Sequence, residues 1–224
     1  MPNPDQHALK IAVARAAVAE VSSGMILGVG TGSTVDCFID ALAEAGVSLK
    51  GAVASSVRSA DRLAALGYRV IGLDSLVSPI DLYIDGADEI DPNLCMIKGG
   101  GAALTQEKIV ASAARRFICI VDSSKQVQTL GRFPLPIEVI EKAITPVTWA
   151  IHAMGGEPSR RDGVLTDNGH PILDVAGLTI SDPVGLERAL NQIPGVVTNG
   201  IFALRRADLA LVATPNGVIR LQHN

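Results

Sequence analysis

The sequence predicts an α/β protein: a Rossmann-like, doubly wound and mostly parallel sheet with a smaller inserted α+β domain. Three observations carry this. Short apolar runs alternate with helical patterns through the first part of the chain. The runs end on small, hydroxyl-bearing or acidic residues, where a strand would hand over to the next helix. The texture then changes at Gly131-Arg132-Phe133-Pro134-Leu135-Pro136, and a strongly apolar run returns only at residues 209–213.

Residues 9–21 are Ala-rich with a Lys and an Arg interspersed, and read as a helix capped by Asp5. Residues 25–29 form a short apolar strand, Gly30 to Ser33 a turn, and residues 34–45 resume helical spacing. Residues 52–54 read as a second strand and 57–66 as a helix. Strands are expected at 68–71, 80–84 and 117–121, with a helix over 102–114. Past Gly131, the residues Pro146, Gly155, Gly156 and Pro158 interrupt the pattern. The stretch 171–202 reads as strand, helix (183–193), strand. The expected division is a Rossmann-like catalytic domain, 1–130 plus 207–224, and a small α+β domain, 131–206.

With 48% hydrophobic but only 3% aromatic residues, the core must be built from Ala, Val, Leu and Ile. A net charge of -4 leaves no general basic footprint for nucleic acid. No apolar run reaches the ~18 residues of a membrane span. The opening MPNPDQHALK has no basic-then-apolar leader pattern, so a cytoplasmic location is expected. Cys37, Cys95 and Cys119 are too sparse and too widely spaced for a disulfide framework, and read as buried reduced thiols.

The chemistry concentrates at predicted strand ends. In an open parallel sheet, ligands sit outside the carboxyl ends of the strands, so these distant segments are expected to converge. GVGTGST at 28–34 offers bare backbone amides at a helix start, with hydroxyls as added donors, and reads as an anion-binding turn. It is a poor dinucleotide fingerprint, because Ser33 stands where the third glycine belongs and Ser55-Ser56, not an acid, ends the second strand. It is no P-loop either, since no Lys follows Gly32. A plain tight turn is the bland reading.

DGADEID at 85–91 places four carboxylates in seven residues directly after an apolar run. Asp85 and Asp88 suit shared acid and base roles, because neighbouring carboxylates shift each other's proton affinity. A metal is disfavoured: no His adjoins them, and Lys98 competes for the acids. A capped, solvated turn is the alternative. Lys98-Gly99-Gly100-Gly101 sets an ammonium beside a backbone nest, a place for an oxyanion. Glu107 alone would pass for a dipole-complementing surface residue, and only its company makes it a candidate general base. Lys125 ends a strand on the expected side. Lys10, Ser55 and Ser56 are weaker candidates.

GVGTGST at 28–34, DGADEID at 85–91, KGGGAALTQEK at 98–108, VDSSK at 121–125 and FPLPIEV at 133–139 together resemble ribose-5-phosphate isomerase, type A. The likeness continues through Ile193-Pro194-Gly195-Val196-Val197-Thr198-Asn199-Gly200, so it spans nearly the whole chain. The resemblance implies interconversion of D-ribose 5-phosphate and D-ribulose 5-phosphate, with no metal or other cofactor and a homodimeric assembly. It implies Glu107 as catalytic base, with Asp85, Asp88 and Lys98 around the reacting oxygens. Thr31, Gly32, Ser33, Thr34, Gly86, Ala87, Gly99, Gly100, Gly101 and Lys125 fall at ligand-binding positions, and Lys10, Ser55 and Ser56 match more loosely. The rival readings are an aminosugar-phosphate isomerase-deaminase, a coenzyme A transferase, a non-catalytic sugar-phosphate sensor and an NAD-binding domain.

Overall fold

The computed structural model describes residues 4–222. In chain order the helices are α1 (Pro4–Val18), α2 (Ser33–Glu44), α3 (Val57–Ala65), α4 (Leu104–Ser112), α5 (Ile144–Ala153) and α6 (Pro183–Asn191). The strands are β1 (Ile26–Val29), β2 (Gly51–Ala54), β3 (Leu82–Asp85), β4 (Glu89–Ile90), β5 (Met96–Ile97), β6 (Phe117–Asp122) and β7 (Leu135–Val139). They continue with β8 (Glu157–Leu165), β9 (Pro171–Ala176), β10 (Val196–Asn199), β11 (Ile201–Phe202), β12 (Leu209–Thr214) and β13 (Gly217–Gln222). These form two compact units. The first comprises the chain up to Gly86, Ile109–Lys125 and the chain from Ala207 onward; the second comprises Ala87–Lys108 and Gln126–Arg206.

The first unit is built on a six-stranded sheet of order β13-β12-β6-β3-β1-β2. Its pairings are parallel except for the β12–β13 hairpin. Strands buried on both faces need continuous apolar runs, and β1, β3 and β6 are buried throughout. Gly28 in β1 leaves room for its partner in β3: a Cβ there would lie 2.8 Å from the Tyr83 ring. Leu27, Val29, Phe38, Ile39, Leu42, Ile84, Ile118 and Leu211 share one core, as the aliphatic composition requires. Because β1, β3 and β6 are adjacent and parallel, their carboxyl ends lie along one edge of this sheet.

The second unit holds a four-stranded antiparallel sheet of order β10-β7-β9-β8 and a three-stranded one of order β11-β5-β4. Its own core gathers Ile97, Leu135, Ile137, Val139, Val147, Ile151, Leu173, Val175 and Leu190. Asp182 caps α6 by accepting from the Gly185 N–H, with Pro183 preset at the first helical position.

Several expectations need correction. Helix α1 begins at Pro4, one residue before the Asp5 expected to cap it. The strand expected over 68–71 reduces to one bridge, Ala52 to Val70, because Arg69 and Val70 are exposed. The helix expected from 102 starts at Leu104, since Ala102 has φ 63, outside the helical region. Cys95 and Cys119 are buried, but Cys37 is only partly so. Burial pushes the Cys95 thiol up to about 11, with the Asp91 carboxylate adding to it.

Candidate active site

In the first unit, the carboxyl edge of the sheet carries the Gly30 turn after β1, Ser55-Ser56 after β2, Asp85 at the end of β3 and Lys125 just past β6. Gly32 has φ 109, so the turn needs a glycine there, and α2 starts at the next residue with no side-chain cap. That leaves the first amides of α2 without a side chain to satisfy them, beside partly exposed Thr31 and Thr34 and exposed Ser33. Lys10 Nζ reaches Ser33 Oγ at 2.9 Å. An ammonium and a helix N-terminus therefore meet at one turn, an arrangement that suits a phosphate. Ser56 caps α3, accepting from the Ser59 N–H, and donates to Thr31 Oγ1 at 2.9 Å. Ser55 is fully buried and offers a ligand no surface. Asp122 accepts from the Ser124 N–H at 2.9 Å, which sets the short helical turn ending at Lys125.

Asp85 is fully buried. Its Oδ1 accepts from the amides of Thr31 (3.1 Å) and Gly86 (2.7 Å), and its Oδ2 from the Tyr83 hydroxyl. Gly30 makes room for this carboxylate: a Cβ at residue 30 would stand 1.9 Å from Asp85 Oδ1. Asp85 thus holds the turn after β1 in shape.

In the second unit, the other three carboxylates of the cluster each have a separate task. Asp88 Oδ2 accepts from the Gly100 N–H at 2.8 Å. Glu89 accepts from the amides of Gly131 (2.8 Å) and Phe133 (2.7 Å). Asp91 caps its own turn through the amides of Asn93 and Cys95. The four carboxylates thus have four different sets of hydrogen-bond partners.

Lys98 and Glu107 meet. Lys98 Nζ lies 3.2 Å from Glu107 Oε2, and the two side chains are only 3% and 4% exposed. Lys98 is anchored by its own amide on Gly200 O at 2.9 Å and its ammonium stands 5.5 Å from the centre of the Phe202 ring. Glu107 stands in the first turn of α4. That turn is pinned from below: Thr105 Oγ1 donates to Glu138, a fully buried carboxylate that also accepts from Thr166 Oγ1 and Asn168 Nδ2 and contacts His170 Nδ1 at 2.9 Å. Lys108, next to Glu107, donates to Glu187 Oε1 and to Ile201 O at 2.5 Å each and lies 4.7 Å from the Phe202 ring centre. Burial pushes the Lys108 ammonium below its ordinary value, and the Glu187 carboxylate pulls partly the other way.

Sequence reasoning missed Tyr83, Glu138, Arg161 and Phe202 as supports of these groups. Glu138 had a signal, a lone acid inside the apolar run 135–139. Arg161 had none, since Arg160-Arg161-Asp162 reads as a solvated surface.

The first unit ends its parallel sheet in a glycine turn and the second buries a carboxylate–ammonium pair beside three glycines, groups of the kind an α/β enzyme carries. Comparison with known proteins narrows this. The chain matches the family of ribose 5-phosphate isomerase A (phosphoriboisomerase A) over residues 51–217. It is 57% identical to the ribose-5-phosphate isomerase A of Bordetella bronchiseptica, over 97% of each chain. The crystal structure of ribose 5-phosphate isomerase A from Neisseria gonorrhoeae superposes with a TM-score of 0.96 at 45% identity, covering 98% of both chains. A D-ribose-5-phosphate isomerase in complex with phospho-erythronic acid gives 0.92 at 38% identity, covering 96% of this chain and 98% of that one. The chain belongs to the ribose 5-phosphate isomerase A family, and is an aldose–ketose isomerase. That assignment sets aside the transferase, deaminase, sensor and NAD-binding readings.

Proposed function

We propose that the chain interconverts D-ribose 5-phosphate and D-ribulose 5-phosphate through a cis-enediolate, with Glu107 as general base. The observation that carries this is the buried Lys98–Glu107 pair at 3.2 Å. In the open-chain aldose, Glu107 takes the C2 proton and electron density moves onto the C1 oxygen. The enediolate oxygens fall to Lys98 and to the Gly99 and Gly101 amides, the Gly100 amide being held by Asp88. A preorganised donor of this kind is typically worth ~3–4 kcal/mol in the transition state. A proton then passes from the C2 hydroxyl to the C1 oxygen, and Glu107 returns its proton to C1, which leaves the ketose.

The phosphate is assigned to the turn of Thr31, Gly32, Ser33 and Thr34, with Lys10 and Lys125 as cations. Binding energy from this remote group supports orientation at the reacting carbons. Ring opening is assigned to the aspartates with Gly86 and Ala87 between them. Asp88 is partly exposed and Asp85 is enclosed, which favours Asp88 for the group that touches substrate. The reading includes a homodimer in the cytoplasm working without a metal ion. No described helix is long and apolar enough to cross a membrane.

The test is a progress curve of ketose formation from ribose 5-phosphate, with and without chelator, alongside sizing of the protein by light scattering. Turnover unchanged by chelator is expected. Activity lost to chelator and restored by a divalent ion would overturn the metal-free reading.

A further inference from the structure

We propose that Arg161 is a positioning residue for the reaction: it sets the direction in which the triglycine loop presents its amides, and through Gly100 it orients Asp88. The inference rests on the reading above that Asp88 and these amides serve the reacting oxygens.

Arg161 sits in β8 where the pairing with β9 shifts register, between Arg160 and Leu165. A bulge of this kind re-aims a side chain. Its side chain is only 16% exposed. Its Nε and Nη2 fork onto Asp174, at 2.8 Å to Oδ2 and 2.5 Å to Oδ1. Its Nη1 donates to the carbonyls of Gly99 (3.0 Å) and Gly100 (3.2 Å).

The consequence follows from the trans peptide. In a planar trans unit the C=O and the next N–H point in opposite directions. Holding the carbonyls of Gly99 and Gly100 on the Arg161 side turns the amides of Gly100 and Gly101 to the other side. The Gly100 amide is indeed found on Asp88 Oδ2 at 2.8 Å. A run of three glycines has little conformational preference of its own, and the Gly99 carbonyl is held both by the loop's own Ala102 N–H at 3.0 Å and by Arg161. Gly99, at φ 110, takes a conformation that side-chain-bearing residues rarely adopt. Arg161 imposes the geometry with a rigid fork whose own direction is fixed by Asp174. A lysine is a single point charge and cannot grip the carboxylate and two carbonyls at once.

The experiment compares Arg161→Lys, Arg161→Ala, Asp174→Asn and Asp88→Asn in steady-state kinetics with ribose 5-phosphate. Arg161→Lys is expected to lower kcat by roughly 10- to 100-fold, the scale of an ångström-sized misplacement, with KM within threefold of wild type. Asp174→Asn, which keeps the fork's shape, is expected to lose less, in the same sense. Added guanidinium ion at non-denaturing concentration is expected to restore part of kcat to Arg161→Ala, an effect that a purely structural role would not produce. If Arg161→Lys and Asp174→Asn keep wild-type kcat while Asp88→Asn loses it, the inference fails and the reading of Asp88 stands. If Asp88→Asn keeps wild-type kcat, that reading fails and the inference with it. A kcat loss in the Arg161 variants that tracks loss of folded protein by circular dichroism, with no response to guanidinium, also overturns it.

Discussion

Glu107→Gln removes a charge while keeping shape, so it separates two quantities. Two unit charges 3.2 Å apart attract by roughly 5 kcal/mol at an effective dielectric constant of about 20. Desolvation offsets part of this, and removing one member of a buried pair typically costs ~3–5 kcal/mol. For a chain of this size that is a fall in melting temperature on the order of 10 °C. The loss of a positioned base is a further, kinetic effect of ~10²- to 10⁴-fold. Turnover is therefore to be read well below the variant's melting temperature, as ketose formation, with exchange of the C2 hydrogen followed in deuterated solvent. Turnover and exchange are expected to fall together. Turnover within about tenfold of wild type in folded Glu107→Gln protein would refute the assignment of Glu107 as base. Exchange that persists while turnover is lost would show that another group takes the proton.

Three further outcomes are expected. Gly30→Ala puts a Cβ 1.9 Å from Asp85 Oδ1, so the carboxylate must move off its amides. A loss of about 1.5–3 kcal/mol for a displaced charge-assisted hydrogen bond and a raised KM are expected, and an unchanged melt and KM would contradict the packing argument. Lys125→Ala is expected to raise KM for ribose 5-phosphate with kcat largely kept; the reverse pattern would remove Lys125 from phosphate binding. Lys108 has a folded pKa below its unfolded value of 10.5. The unfolded state therefore binds more protons in the alkaline window between those two values, and stability gains as pH rises through it. In denaturant titrations, wild type is expected to gain on Lys108→Met as pH rises toward 10.5, and a constant gap would argue against a buried, desolvated ammonium.

The parallel sheet was legible because β1, β3, β6 and β12 are enclosed on both faces and must be apolar throughout. The segments that were not legible lack that constraint. Strand β8, Glu157–Leu165, is mostly exposed and reads as a charged loop. Strands β4, β5 and β11 are two residues long, too short to carry a period. Pro136 read as a break, yet it is the second residue of β7, where its missing N–H is tolerated while its carbonyl still accepts from Gly200. At the site, residue types announced the reactive groups: Glu107, Lys98, the glycines and the aspartates. The residues that hold them did not, since Arg161 is 62 positions from Gly99 and Thr105 is 33 from Glu138. No local pattern encodes such a pairing. The cluster at 85–91 shows the same limit, for its four acids share a neighbourhood in sequence and have four different partners.

The backbone changes unit after Gly86, Lys108, Lys125 and Arg206. Neither unit is therefore a contiguous stretch of gene. A truncation from either end strips the first unit before it reaches the second, and neither unit can be lifted out whole as one cassette. The six-stranded sheet cannot close until residues 209–222 have been made, because β12 and β13 complete it.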